Sequence, residues 1–302
     1  MVLFSGQLLP LLVWLLLAAC VTPELEDRSL GRQGLKRLER LEQGFLRAEE
    51  SYAAERDRAL AADRRFGPWL AKSMVNHAVR DYDRLIAERQ IPEQWIRSSA
   101  AMDSRLFVRA RRELVVLGQD GLNAIRSYLL RARRAQLRSI GGLLLLGYPK
   151  EQLFSIVEQE LEEGTRASRR SMLRLLADLP DVQQSLRLLR DAARSSDWQI
   201  RGEALRPLAM VWRKTGEGDG AAFLWSAYRG DRDDFVRRQA LLAIGSLGDL
   251  AQARPLIDAL ETLMRGDRHA EAEAAAEGLR SLTGKDFKTS VRRWRQWLGS
   301  AK

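Results

Sequence analysis

The chain has one cysteine and two histidines in 302 residues. A single thiol, Cys20, excludes an internal disulfide and a cysteine-rich metal site. His77 and His269 stand far apart in sequence, which argues against a histidine zinc site and against a Ser-His-Asp triad; both are read as surface or packing residues. The usual catalytic signatures are missing as well. Lys285 follows Gly284, but Asp286 stands where a phosphate loop needs Ser or Thr. Asp231, Asp233 and Asp234 resemble half of a calcium loop without its central glycine and closing glutamate. The glycine-rich residues 216–220 follow a helical pattern, not a strand, and read as an inter-helix loop. No G-x-S-x-G, H-E-x-x-H or C-x-x-C occurs. The expectation is a protein without catalytic residues, metal or cofactor.

What is present is charge on a folded-protein background. Charged residues make up 30% and hydrophobic ones 45%, which places the chain among folded rather than disordered proteins. The formal charge of +10 is unevenly placed. Residues 24–65 are balanced, with ten acidic and ten basic side chains, whereas residues 105–139 hold nine Arg against Glu113 and Asp120. Such an excess favours an anionic partner: nucleic acid, phospholipid headgroups, acidic polysaccharide or an acidic protein. Charge alone does not choose among them, and arginine-rich helix faces can also be merely solvated.

Residues 1–19 carry no charge, and the apolar run over residues 8–19 is short for a membrane span. It ends in Leu17-Ala18-Ala19-Cys20. Small residues before a cleavage point admit a peptidase, and the following thiol can carry diacylglycerol. This stretch resembles the lipobox of bacterial lipoproteins at all four positions. The resemblance implies cleavage before Cys20 and lipid attachment at Cys20. The n-region departs from the pattern, because no Lys or Arg precedes the apolar run. Position 21 is Val rather than Asp, which within that resemblance implies the periplasmic face of the outer membrane.

Leu38, Leu41, Phe45, Ala48, Tyr52, Ala59 and Ala62 then recur at three- and four-residue spacing. That pattern predicts one amphipathic helix of roughly thirty residues, to be paired with a copy of itself or packed back on its successor. Gly67-Pro68 breaks it, and Pro68 can start the next helix, with Leu70, Met74, His77 or Ala78, and Leu85 along one side. Trp69 and Trp95 read as core or lid aromatics, and Pro92 ends the segment.

Residues 233–263, DDFVRRQALLAIGSLGDLAQARPLIDALETL, read as two helices joined at Gly248-Asp249. Val236, Ala240, Ile244 and Leu247 form one apolar stripe, and Leu256, Ile257, Leu260 and Leu263 the other. One such pair cannot bury both stripes and needs like neighbours. They are supplied upstream, aligned on Arg109, Arg138, Arg170, Arg201 and Arg237 at spacings of 29, 32, 31 and 36 residues. After these arginines come Leu114 and Leu117, Leu143 and Leu146, Leu173 and Leu176, Leu205 and Leu208, and Leu241 and Ile244. This period with two helices per unit is a solenoid signature. The V-R-x-x-A and L-G-D elements around Asp249 resemble a HEAT repeat of the short bacterial, PBS-lyase-like type, and the earlier copies match more loosely. The last unit ends in LTGKDF and VRRWRQWL, in which Trp294, Trp297 and Leu298 provide an apolar side for a terminal cap.

The expected fold is all-α: a solenoid of about five to six HEAT-like helix pairs behind long N-terminal helices. The expected organisation is a signal peptide at 1–19, a lipid-bearing linker at 20–32, a helical segment at 33–100 and the solenoid at 101–302. The aligned arginines are assigned to the fold, reaching carboxylates or carbonyls of neighbouring units, and Asp197 and Asp233 to helix caps. Arg131, Arg133, Arg134, Arg166 and Arg169, outside that alignment, are the candidate patch for an anionic partner. The expected function is a membrane-tethered scaffold of the bacterial cell envelope, binding a protein or anionic component without chemistry. The alternative is a nucleic-acid-binding protein resembling the HEAT-like alkylpurine DNA glycosylases, with Asp197, Trp198, Trp212 and Trp225 as its ingredients; the competing reading of those aromatics is inter-helix packing.

Overall fold

A computed structural model describes residues 31–89, 104–216 and 219–300. Residues 1–19, where the signal peptide is expected, Cys20 and Trp95 lie outside the described residues. The described chain is helical throughout and contains no strand. The described residues divide into two compact units between Ser73 and Met74, each treated by itself below.

In the first unit the expected single helix is two, α1 (Gly31–Arg47) and α2 (Tyr52–Ala62). The break falls at Ala48, whose φ of 58° is left-handed. Glu49 N–H donates to Gly44 O at 3.0 Å, and Ala48 N–H to Phe45 O at 3.2 Å, closing the helix end in the αL manner. Ala48 is exposed instead of lying in the apolar seam. The turn lets Phe45 and Tyr52 meet edge to face at 5.6 Å. α3 (Phe66–Arg89) carries Pro68 in its first turn, where a missing N–H is harmless. Leu70, Met74, His77 and Ala78 are buried on it, as the spacing predicts.

Six helix pairs follow. They are α4 (Arg105–Val116) with α5 (Gln119–Ala124) and its π-helical continuation (Ile125–Leu130), α6 (Ala135–Leu145) with α7 (Lys150–Glu163), and α8 (Arg166–Leu176) with α9 (Val182–Ala192). Then come α10 (Trp198–Thr215) with α11 (Gly220–Gly230), α12 (Asp234–Ser246) with α13 (Ala253–Arg265), and α14 (His269–Thr283) with α15 (Val291–Ser300). First helices stack on first helices, α6 on α8, α8 on α10, α10 on α12 and α12 on α14. The second helices α7, α9, α11 and α13 each pack on the first helix of the following pair. The core is therefore continuous from pair to pair, which is the solenoid expected from the repeat period.

The leucines that follow each aligned arginine fill that core. All are buried except Leu146, which is half-buried. Each buried leucine or isoleucine contributes about 1.5–3 kcal/mol of apolar transfer. Gly248, at φ 73°, turns the chain after α12, a conformation that costs a residue with a Cβ. A second glycine pair controls spacing. A Cβ on Gly245 of α12 would stand 2.2 Å from Gly278 O of α14, so these helices touch backbone to backbone. The open end is closed by α15, where Trp294 is fully buried, stacks edge-on with Phe287 at 4.9 Å, and donates its indole N–H to Lys288 O at 2.8 Å.

Candidate functional site

Helix caps fix where each first helix begins. Asp197 Oδ1 accepts from Gln199 N–H and Asp233 Oδ1 from Phe235 N–H, both at 2.9 Å, as the sequence predicts; Thr165 caps α8 through Ser168 N–H. The capped ends line up along one edge of the stack and carry the arginine ladder.

At three of these ends the guanidinium works in the same way. Arg138 Nη1 donates to Ala132 O and Arg133 O, Arg201 Nη1 to Ser195 O and Ser196 O, and Arg237 Nη1 to Asp231 O and Arg232 O, at 2.6–3.1 Å. Each ties the preceding loop, five and six residues back, to its helix. The rest of the guanidinium reaches forward. Arg201 forks onto Asp231 at 2.9 and 3.0 Å. Arg237 meets Glu271 through Nη2 at 3.1 Å and through Nε at 3.4 Å. A planar fork suits a carboxylate better than a point charge does. Hydrogen bonding from Arg201 lowers the Asp231 pKa, against a smaller opposing effect of burial.

In the α8 unit the two tasks are divided. Arg169 takes the backward contact, Nη2 to Glu162 O at 2.6 Å, with Asp197 Oδ2 at 3.9 Å. Arg170 takes the forward one, to Glu203 Oε1 at 3.5 Å. Burial raises the Glu203 pKa, and the surrounding Arg170, Arg166 and Arg174 partly offset that rise.

The sequence-predicted patch is spread over this edge. Arg131 ends the π-helical turn and approaches Glu160 Oε1 at 3.5 Å, a carboxylate it shares with Arg126 at 2.5 Å. Arg133 and Arg134 are exposed in the turn that opens α6. Arg166 begins α8 and lies 5.9 Å from the ring centre of Trp198, a cation–π distance. Arg133, Arg134, Arg166 and Arg169 thus sit at the starts of two packed neighbours, α6 and α8, with Arg169 partly occupied in the fold.

Charge on the first helices α4, α6, α8 and α10 is one-sided. α4 holds four arginines, α6 one, α8 four, and α10 three with one lysine, against only Glu113 and Glu203. Both carboxylates are withdrawn: Glu113 is buried, and the Glu203 side chain is 8% exposed. Acidic residues gather on other helices, five on α7 and three on the last first helix, α14. Trp198 is exposed and braced edge-on against Phe235 at 5.3 Å. Sequence reasoning missed Arg170, Arg174, Glu203 and Trp198 as members of one cluster. The available signal was the offset of 33 or 34 residues separating Arg170 from Glu203 and Arg237 from Glu271.

The glycosylase-like residues are scattered. Trp198 and Trp212 stand fourteen positions apart on α10, roughly 21 Å at helical rise. Trp212 is buried against Phe223 and Trp225 against Tyr228, while Asp197 is committed to its cap. Among the described residues no group of His, Cys, Asp or Glu could hold a metal ion, and no helix is long and apolar enough to cross a membrane.

Comparison with known proteins gives one result. Residues 155–245 match the family model for HEAT repeats, a span running from α7 into α12. No curated protein matches the chain, and no solved structure does.

Proposed function

We propose, from HEAT repeats that make this a scaffold kind of fold, that the protein is a non-catalytic adaptor of the bacterial cell envelope. It is tethered by lipid at Cys20 to the periplasmic face of the outer membrane and binds an acidic protein partner through its first-helix layer. The observation that carries this reading is the one-sided charge of the four first helices α4, α6, α8 and α10, whose only two carboxylates, Glu113 and Glu203, are withdrawn from solvent. A surface of one sign raises the encounter rate with an oppositely charged partner and repels like-charged ones. Exposed Arg133, Arg134 and Arg166 are the outward part of it. A basic surface beside a single lipid also strengthens membrane attachment, which takes two signals.

The test is the intact mass of the protein from its native membrane fraction, with and without an inhibitor of lipoprotein signal peptidase, followed by cross-linking from first-helix positions. The expected result is a mass lacking residues 1–19 and carrying acyl chains, sensitive to the inhibitor, and an acidic protein captured. A full-length unmodified chain, or duplex DNA bound with a steep salt dependence, would overturn it.

A further inference from the structure

One rung of the ladder lacks its carboxylate. Arg170 meets Glu203, 33 residues on, and Arg237 meets Glu271, 34 residues on. Arg138 spans the same offset of 33 residues, but reaches a hydroxyl, Ser171 Oγ, at 3.3 Å. Its Nη1 is anchored on two loop carbonyls, just as in Arg201 and Arg237, so the guanidinium is held in the same attitude. Among the described residues no carboxylate touches it. The charge that acts on it is another cation, Arg170, one residue from Ser171. Burial, and secondarily Arg170, lower the Arg138 pKa, as they do for a partly desolvated cation without a counter-charge. Arg170 engages Glu203 at only 3.5 Å, with its side chain 52% exposed.

We infer that Arg138 and Arg170 form a receptor for a carboxylate side chain from an acidic segment of a partner protein, which completes the rung that Ser171 leaves open. The inference rests on the adaptor reading and names the contact it uses. The segment continues along the edge to Arg166 and the exposed face of Trp198 on α10, where a second acidic side chain meets a guanidinium held over an aromatic ring. A protein carboxylate fits better than a lipid headgroup here. The Arg138 guanidinium is held part-buried by two loop carbonyls on Nη1, and only a hydroxyl at 3.3 Å meets its Nε, so the Nε–Nη2 edge suits one planar anion. Attachment to a bilayer relies instead on protruding, mobile cations spread along its surface.

The test uses the full-length chain in detergent micelles and a fluorescent peptide of alternating Glu and Ser, with its Gln counterpart as control, read by anisotropy. The Glu peptide is expected to bind and the Gln peptide not. Arg138→Gln and Arg170→Gln are each expected to weaken binding about tenfold, and Arg138→Lys not to restore it, since an ammonium lacks the fork. Ser171→Glu supplies the missing carboxylate from within; it should weaken peptide binding and raise Tm by ~2 °C or more. Arg292→Gln, on exposed α15, should bind as the parent does. Should Arg138→Gln fail to fold, Arg170→Gln and Ser171→Glu carry the test. Parental binding by these variants would overturn the inference, as would binding of phosphatidylglycerol vesicles with equal dependence on Arg138. Loss of the peptide result with an acidic protein still cross-linked would remove this site and leave the adaptor reading standing. Absence of any captured protein would remove the adaptor reading itself.

Discussion

Arg237 on α12 and Glu271 on α14 are joined by a guanidinium–carboxylate contact of 3.1 Å, with the carboxylate side chain only 6% exposed. Arg268 approaches the same carboxylate from the other side. The pair links two stacked helices while Nη1 of the same guanidinium holds the loop between α11 and α12. Truncating Arg237 leaves the buried carboxylate to Arg268 alone and frees two carbonyls. Arg237→Ala is expected to lower stability by about 1–3 kcal/mol. Urea unfolding followed by circular dichroism measures it; an unchanged midpoint would remove the ladder from the account of stability.

Contact between Gly245 and Gly278 is steric. A methyl group at position 245 would overlap Gly278 O unless α12 and α14 separate. Gly245→Ala should therefore cost about 1–3 kcal/mol, although alanine is the better helix former. A thermal melt decides, since propensity alone predicts the opposite sign.

Ala48 offers a gain. It is exposed, and its φ of 58° is a conformation that L residues resist. Ala48→Gly keeps the turn between α1 and α2 and relieves about 1 kcal/mol. A higher melting midpoint is expected; a lower one would show that the break does not persist in solution.

The pH dependence follows from Asp231. Its carboxyl is held below its ordinary value of 3.8 by the hydrogen bonds from Arg201. The unfolded chain therefore binds the proton more readily. The stabilisation is complete above the unfolded pKa and disappears as pH falls through the lower folded value. The stability difference between the parent and Asp231→Asn should be full at neutral pH and shrink below pH 3.8. A difference independent of pH would contradict the pairing.

Much of this architecture was legible in the sequence because a solenoid repeats its physics. The apolar residues after each aligned arginine had to face a neighbouring pair, and they do. The role of the arginines followed from their constant place on the first helix. Three features were not legible. The seam through Ala48 looks continuous because heptad spacing does not register a left-handed turn. The division of labour between Arg169 and Arg170 was hidden because two adjacent arginines align equally well. The approach of Gly245 to Gly278 joins residues 33 apart on different units, and a lone glycine within a helix names no partner. The candidate site was half visible: its basic character showed in composition, but its boundaries depend on which cations the fold already occupies.

Burial of Trp294 beneath α15 has a consequence for assembly. An open solenoid end is an adhesive surface on which another copy can continue the stack. Here that surface is spent within the chain, and the exposed positions of the closing helix include Arg292 and Arg293. Copies meeting at these ends bring like charges together. Growth of the stack into a filament is thereby opposed at the face that α15 covers.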